Sequence, residues 1–155
     1  VYKRQEKNVE YFHAQVALAD WYLLFDRNRT AVRHYGEAYG FAAGLENGDE
    51  LIHAAFGDVT PLPVPSNANY EAKEQFVGDV AAKSSGRFGV AEIAFDVSPY
   101  GSASGITVLT EETEQNSRVL AMLRRNVRDT IYRPRIINGE PVKSENVQFR
   151  YRYRY

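Results

Sequence analysis

Cysteine is absent from the 155 residues, and methionine and tryptophan each occur only once. Without a thiol, these residues form no disulfide and offer neither a cysteine nucleophile nor a thiolate metal ligand. The three histidines, His13, His34 and His53, have no second histidine three or four residues away. The sequence therefore predicts no metal site and no cofactor, because a metal needs a clustered set of ligands.

Several longer patterns are also missing. No apolar run approaches the length of a membrane span. A nucleophile elbow, a phosphate-cradling loop and a dinucleotide fingerprint are all absent, so we predict no catalytic residue and do not expect an enzyme. The net charge of −1 and the pI of about 6.4 provide no field that would attract nucleic acid or an anionic membrane.

The last third of the sequence has the pattern of a small α+β unit. Apolar residues occupy alternate positions of residues 91–97, within a segment 87–97 that we predict to be a half-buried strand. Turn residues at 98–102 and a β-branched run at 106–110 would complete a hairpin.

A helix is predicted to follow this hairpin. Leu120, Leu123, Val127 and Ile131 are separated by three, four and four positions, which places them on one helical face. We expect Pro134 to stop the helix, because the residue before a proline is pushed out of the α region.

The sequence then ends in a strand with two contrasting faces. One face carries Val147, Phe149, Tyr151, Tyr153 and Tyr155, and the other carries Gln148, Arg150, Arg152 and Arg154. We expect the aromatic face to pack on the helix and the arginine face to meet water. Interleaved arginine and tyrosine can also bind nucleic acid by charge and stacking, but three arginines on a chain of net negative charge make nucleic acid a poor partner.

These residues carry a resemblance to a known family. Residues 89–101 resemble the opening hairpin of the TonB C-terminal domain family, and residues 123–134 resemble that family's helix end. Asn138-Gly139-Glu140-Pro141-Val142 is similar to its loop, and residues 149–153 stand where the family has its closing aromatic strand. The resemblance covers about residues 86–155. It implies a three-stranded antiparallel sheet with one packing helix.

The resemblance also implies a partner. In that family the last strand pairs with the TonB box, a short segment of an outer-membrane receptor, and transmits force from an inner-membrane motor. Carried over by position, the docking edge consists of Val147, Gln148, Phe149, Arg150, Tyr151, Arg152 and Tyr153. Arg150 and Arg152 would be free to meet acidic groups of the partner. We therefore expect a receptor peptide or another periplasmic protein as partner, in the periplasm of a Gram-negative bacterium. Any inner-membrane anchor would lie outside this sequence.

Residues 6–56 have the periodicity of helices, with polar breaks at 26–30 and 47–49. They resemble a tetratricopeptide repeat. The resemblance rests on Leu18, Ala19, Tyr22, Ala31, Tyr35 and Ala38. Small Ala19 and Ala38 would let two helices pack closely. A plain helical hairpin with no repeat ancestry is the alternative.

Residues 57–69 contain three of the six prolines and predict a stiff connector. They would divide the chain into a helical segment, 6–56, and a TonB-like domain, 70–155. Within that domain, residues 70–83 fit either a helix or a strand. Such a connector spans only about 40 Å when stretched, which is too short to cross a periplasm.

The resemblance therefore supports a noncatalytic binding domain more firmly than it supports energy transduction. The competing hypothesis is a scaffold protein, in which the helical repeats bind the partner and the C-terminal unit serves assembly. An exposed strand edge also makes a homodimer an alternative.

Overall fold

The chain is an α+β protein in which helices precede an antiparallel sheet, as the sequence predicts. The computed structural model describes residues 2–63 and 88–154. The described helices are α1 (Tyr2–Leu24), α2 (Asn28–Ala43), α3 (Gly48–Phe56) and α4 (Ser117–Asp129). The described strands are β1 (Thr60–Pro61), β2 (Phe88–Val97), β3 (Ala103–Val108), β4 (Tyr132–Arg133), β5 (Arg135–Ile137), β6 (Glu140–Val142) and β7 (Ser144–Arg154).

The first two helices form a hairpin whose contact face follows the helical period of the sequence. The buried residues of this pair are Phe12, Val16, Ala19, Leu23, Ala31, Tyr35, Ala38 and Ala42. Ala19 and Ala38 are fully buried, and their small side chains let the two helices approach closely. Helix α3 completes this core with Phe56, whose ring lies 6.0 Å from Phe12 and 5.8 Å from Tyr35. The helical period predicted for residues 6–56 is confirmed, although Leu18 is exposed.

A three-stranded antiparallel sheet forms the second layer, in the order β3-β2-β7. The middle strand, β2, pairs with β7 from Phe88 opposite Arg154 to Phe95 opposite Val147. Helix α4 covers one face of the sheet through Leu120, Leu123 and Val127, which join a core with the inward residues of β2. The predicted hairpin, packing helix and closing strand are all present.

Helix α4 ends earlier than the sequence predicts. It stops at Asp129, and Thr130 is already extended, with φ −78° and ψ 139°. The prediction that Pro134 stops the helix and that Ile131 lies on its face was wrong. Instead, the carbonyl of Ile131 accepts the N–H of Leu62 at 2.9 Å, and β4 pairs with β1. Pairing with β1, which lies far earlier in the sequence, requires an extended backbone at β4, so the helix ends before it.

Part of the predicted connector packs against the rest of the molecule. Thr60 and Pro61 form β1 opposite β4, and Leu62 is buried in the core of the helices. Residues 64–69 lie outside the described residues, as do the helix-or-strand alternatives at 70–83. The division of the chain at 57–69 stays a prediction.

The β5–β6 hairpin attaches the sheet layer to the helices. Its turn residues Asn138 and Gly139 both have positive φ, 51° and 81°, as a tight two-residue hairpin turn requires. The turn lies against α2, where a Cβ added to Gly36 would be 3.4 Å from the carbonyl oxygen of Gly139. Ile136 of β5 is buried within the core of the helices.

One charged side chain joins the two layers. The guanidinium of Arg133 donates to both carboxylate oxygens of Asp20, at 2.9 and 2.7 Å, and to the carbonyl of Ala55 at 3.1 Å. The hydroxyl of Tyr35 donates to the same carboxylate at 2.5 Å. We call this group of Arg133, Asp20, Tyr35 and the Ala55 carbonyl the Arg133 clamp. It links β4 to all three N-terminal helices.

Burial and the charge of Asp20 together set the protonation states of Tyr35 and Arg133 in the clamp. Burial raises the pKa of Tyr35 far above its usual value, and the negative charge of Asp20 adds to the rise. Burial alone would lower the pKa of Arg133, but the hydrogen bonds and charge of Asp20 raise it above its usual value. Tyr35 therefore stays a neutral donor, and Arg133 stays a cation.

Removing one member of the clamp should destabilise the protein strongly. Asp20→Asn leaves a buried guanidinium without its counter-charge, and we expect a loss of about 3–5 kcal/mol in the free energy of unfolding. The measurement is urea denaturation.

A second Arg–carboxylate pair of similar length provides a matched control. Arg150 and Glu92 are 2.6 Å apart, but their side chains are 74% and 46% exposed, against 17% and 15% for Arg133 and Asp20. Glu92→Gln should cost less than about 1 kcal/mol. Equal losses in the two variants would contradict the role assigned to the clamp.

Candidate functional site

Strand β7 contains all seven residues of the predicted docking edge, and it lies at one side of the sheet. Strand β2 pairs with its inner side, and the structure describes no strand beside the outer side of residues 147–150. Tyr151, Arg152 and Tyr153 continue the strand and make further contacts. Main-chain groups at a sheet edge can pair with an added strand.

The direction of the edge groups follows from the hydrogen bonds of Glu92. Its N–H donates to Thr110 Oγ1 at 2.8 Å, and its carbonyl accepts the N–H of Leu109 at 2.8 Å. Both groups thus point toward the β3 side, so Glu92 and its opposite residue Arg150 form a non-hydrogen-bonded pair. The N–H and carbonyl of Arg150 therefore point away from β2, and those of Gln148 do the same by alternation.

The inward face of β7 is anchored in the core. Phe149 packs on Phe95 with ring centres 5.3 Å apart, and Tyr151 is almost fully buried. The ring of Tyr153 covers Gly89 so closely that a Cβ added to Gly89 would lie 2.4 Å from it. The expectation that Phe149 and Tyr151 pack inward is confirmed. These contacts fix the strand from one face, and among the described residues no strand pairs with the outer main chain of residues 147–150.

The outward face differs from the prediction that Arg150 and Arg152 would be free, since Arg152 makes further contacts and Arg150 is paired. Gln148, Arg150 and Arg152 are exposed, but Arg150 donates to Oε1 of Glu92 from Nη2 at 2.6 Å and from Nε at 3.0 Å. Arg150 is therefore not free to meet an acidic partner, because the opposite residue on β2 already supplies its carboxylate. A surface pair of this kind contributes less than about 1 kcal/mol, so a partner could displace it.

Other chemistry is sparse in the described ranges. No group of three or more His, Asp or Glu side chains converges there as metal ligands would. His34 stacks on Tyr22 with ring centres 5.3 Å apart, and its Nδ1 lies 3.0 Å from Gln15 Oε1 and 3.5 Å from Glu37. A shallow cleft of about 190 Å³ separates α3 from β5, with His53 and Arg135 in its wall. None of the described helices is long and apolar enough to cross a bilayer.

Two important features have no counterpart in the sequence predictions. Asp20 and Arg133 form the clamp although they are 113 positions apart, and no local pattern pairs them. The second feature is a row of exposed apolar residues that runs along α1 to the residue just after it and includes Trp21 and Phe25, which are 49% and 51% exposed. Their helical spacing could have revealed this second apolar face.

No protein-family model matches the chain, and no curated protein is significantly similar to it. The assignment of a function therefore depends on the geometry of the chain itself.

The stability of the β7 anchor should depend on alkaline pH. Burial raises the pKa of Tyr151 to about 12, against about 10 in an unfolded chain. The folded state thus favours the neutral phenol, so this contribution is complete below pH of about 10 and is lost as the pH rises toward 12. Between pH values of about 8 and about 11, the parent should lose about 1.4 kcal/mol more stability than Tyr151→Phe. Denaturation at both pH values measures this difference, and equal losses would show that Tyr151 ionises as it does in the unfolded chain.

Proposed function

We propose that this chain is a noncatalytic protein–protein interaction protein that binds an extended peptide by strand addition to β7. The single observation that carries the proposal is the outer edge of β7, where the N–H and carbonyl groups of Gln148 and Arg150 point away from β2. A peptide bound there would become the fourth strand of the sheet in the order peptide-β7-β2-β3.

The rigidity of β7 supports this role. The strand pairs with β2 along nearly its whole length, and its inward rings are held by α4 and β2. A partner would therefore meet an edge that is already extended, so the cost of ordering falls on the peptide alone. The main chain would supply affinity, and the side chains facing water would supply selectivity.

The sequence resemblance suggests which peptide would bind. Strand, strand, helix and closing strand follow one another in the order that the TonB C-terminal domain family leads us to expect. By that resemblance, the partner would be the TonB box of an outer-membrane receptor, or a segment of another periplasmic protein. The protein would then act in the periplasm as part of an energy-transducing or outer-membrane transport system. As part of the same proposal, α1 and α2 form a tetratricopeptide-like repeat.

The test is a titration with a capped peptide of about five to seven residues that covers a receptor's TonB box. Each main-chain hydrogen bond contributes about 1 kcal/mol net, so we expect a Kd in the range of about micromolar to millimolar. Amide NMR shifts should cluster on residues 147–150 and their neighbours in β7. Shifts confined to α1 and α2 would support the scaffold hypothesis instead.

A pair of variants isolates the main-chain contribution. Gln148→Pro deletes an N–H that points outward, so it removes a bond to the peptide without breaking the ladder with β2. We expect it to weaken binding at least about 5-fold, which corresponds to one hydrogen bond. Gln148→Ala keeps the N–H and should bind like the parent. If both variants bind equally well, strand addition at this edge is wrong. Thermal melts of the free proteins verify that both variants are folded.

A further inference from the structure

Helix α1 has two apolar faces, and in the described part of the chain the second packs only at its margin, where the Tyr11 ring centre lies 4.6 Å from that of Phe41 on α2. Its buried face packs on α2. The second face consists of Tyr11, Ala14, Leu18 and Trp21 and is continued by Phe25, the first residue after the helix; all five are exposed. We call this second face the α1 seam. At about 100° per residue it lies roughly 150° around the helix from the buried face, so it points away from the core.

The spacing of the α1 seam is that of a helix-pairing surface. Its residues follow one another at intervals of three, four, three and four, which is the a and d pattern of a coiled coil. Tyr11, Trp21 and Phe25 are each about half exposed, at 48%, 49% and 51%. Trp21 and Phe25 are in contact, with ring centres 4.7 Å apart. Scattered apolar residues on a surface are ordinary, but an apolar row that includes two touching aromatic rings indicates a contact site.

When two copies of α1 run antiparallel, the residues of one seam are complementary to those of the other. If Tyr11 is set opposite Trp21 of an antiparallel copy, Ala14 falls opposite Leu18, and Lys7 falls opposite Phe25. Each layer then joins an a position to a d position, as antiparallel coiled coils require. Large residues meet small ones, two aromatics meet, and a cation meets an aromatic ring.

A parallel arrangement lacks this complementarity. It would place Lys7 opposite Lys7 and Ala14 opposite Ala14, which brings like charges together and leaves a gap between two small residues. Trp21 would meet Trp21 in the same layer. The reversed register is therefore favoured by both charge and volume.

We propose that two copies of this chain associate through their α1 seams in an antiparallel helix pair with two-fold symmetry. At half exposure, each aromatic of the seam offers about 75–125 Å². The two seams together bury on the order of 800 Å², which is at the small end for specific complexes. The dimer is therefore weak, with a Kd of about 10–500 µM. This surface is separate from β7, so the inference does not depend on the peptide-binding proposal.

The first test is sedimentation of the full chain over a range of concentrations. We expect a monomer at about 5 µM and mostly dimer at about 1 mM, in accordance with the expected Kd. Trp21→Glu should weaken the dimer at least about 30-fold, as for a central interface residue. His13→Glu is the matched control, since His13 is exposed on the same helix but lies roughly 120° from the seam; it should leave the dimer unchanged. Circular dichroism verifies that both variants fold.

The second test determines the register, and the absence of native cysteine makes it specific. Ala14→Cys and Leu18→Cys are prepared as separate proteins and oxidised alone and as a mixture. The antiparallel register predicts that the mixture forms a cross-linked heterodimer several-fold faster than either protein cross-links with itself.

Each other outcome overturns the proposal. A chain that stays monomeric at about 1 mM has no such dimer. A dimer that withstands Trp21→Glu must use another surface, such as the β7 edge. Self-cross-linking that is as fast as cross-linking in the mixture contradicts the antiparallel register. Gln148→Pro should weaken peptide binding without changing the dimer, so either proposal can be wrong while the other holds.

Discussion

The buried guanidinium of Arg133 fixes how the N-terminal helices pack against the sheet layer. A buried cation is costly unless a counter-charge and hydrogen bonds satisfy it, and here Asp20 and the carbonyl of Ala55 do so. A placement that moved Asp20 and the Ala55 carbonyl away would leave the buried charge without these partners. The clamp therefore selects one arrangement of the layers, while Ile136 and Leu62, buried among the helices, provide the apolar contact that stabilises it.

The same pair of chemical groups has a different role at the surface. Arg150 and Glu92 are as close together as Arg133 and Asp20, yet water screens them, and their contribution to stability is small. What holds β7 is its ladder with β2 and the burial of Phe149 and Tyr151. The strand is thus fixed by its inner edge and its inward face, while the outward main-chain groups of Gln148 and Arg150 have no partner strand among the described residues.

The sequence was sufficient where local periodicity decides the structure. The helical period of residues 6–56 and the two faces of β2 and β7 were predicted, because apolar residues recur at the period of each element. It was insufficient where distant segments meet. The end of α4 is set by Thr60 and Pro61, which lie far earlier in the chain. The Arg133 clamp joins residues 113 positions apart, and the carboxylate that engages Arg150 is 58 positions away. Alternation was enough to predict the strand β7, whereas its role as a docking edge came only from the family resemblance and stays a prediction.

The pairing of β2 with β7 also has a consequence during synthesis on the ribosome. Phe95 pairs with Val147, so the middle strand of the sheet is made about fifty residues before its second neighbour. At about 5–20 residues per second, this delay is roughly 3–10 s. During that time, β2 can pair with β3 and pack under α4, but one of its edges stays open. A nascent chain with an open central strand can mispair with another nascent chain on the same messenger RNA. The sheet is thus open to mispairing in the interval before β7 is translated.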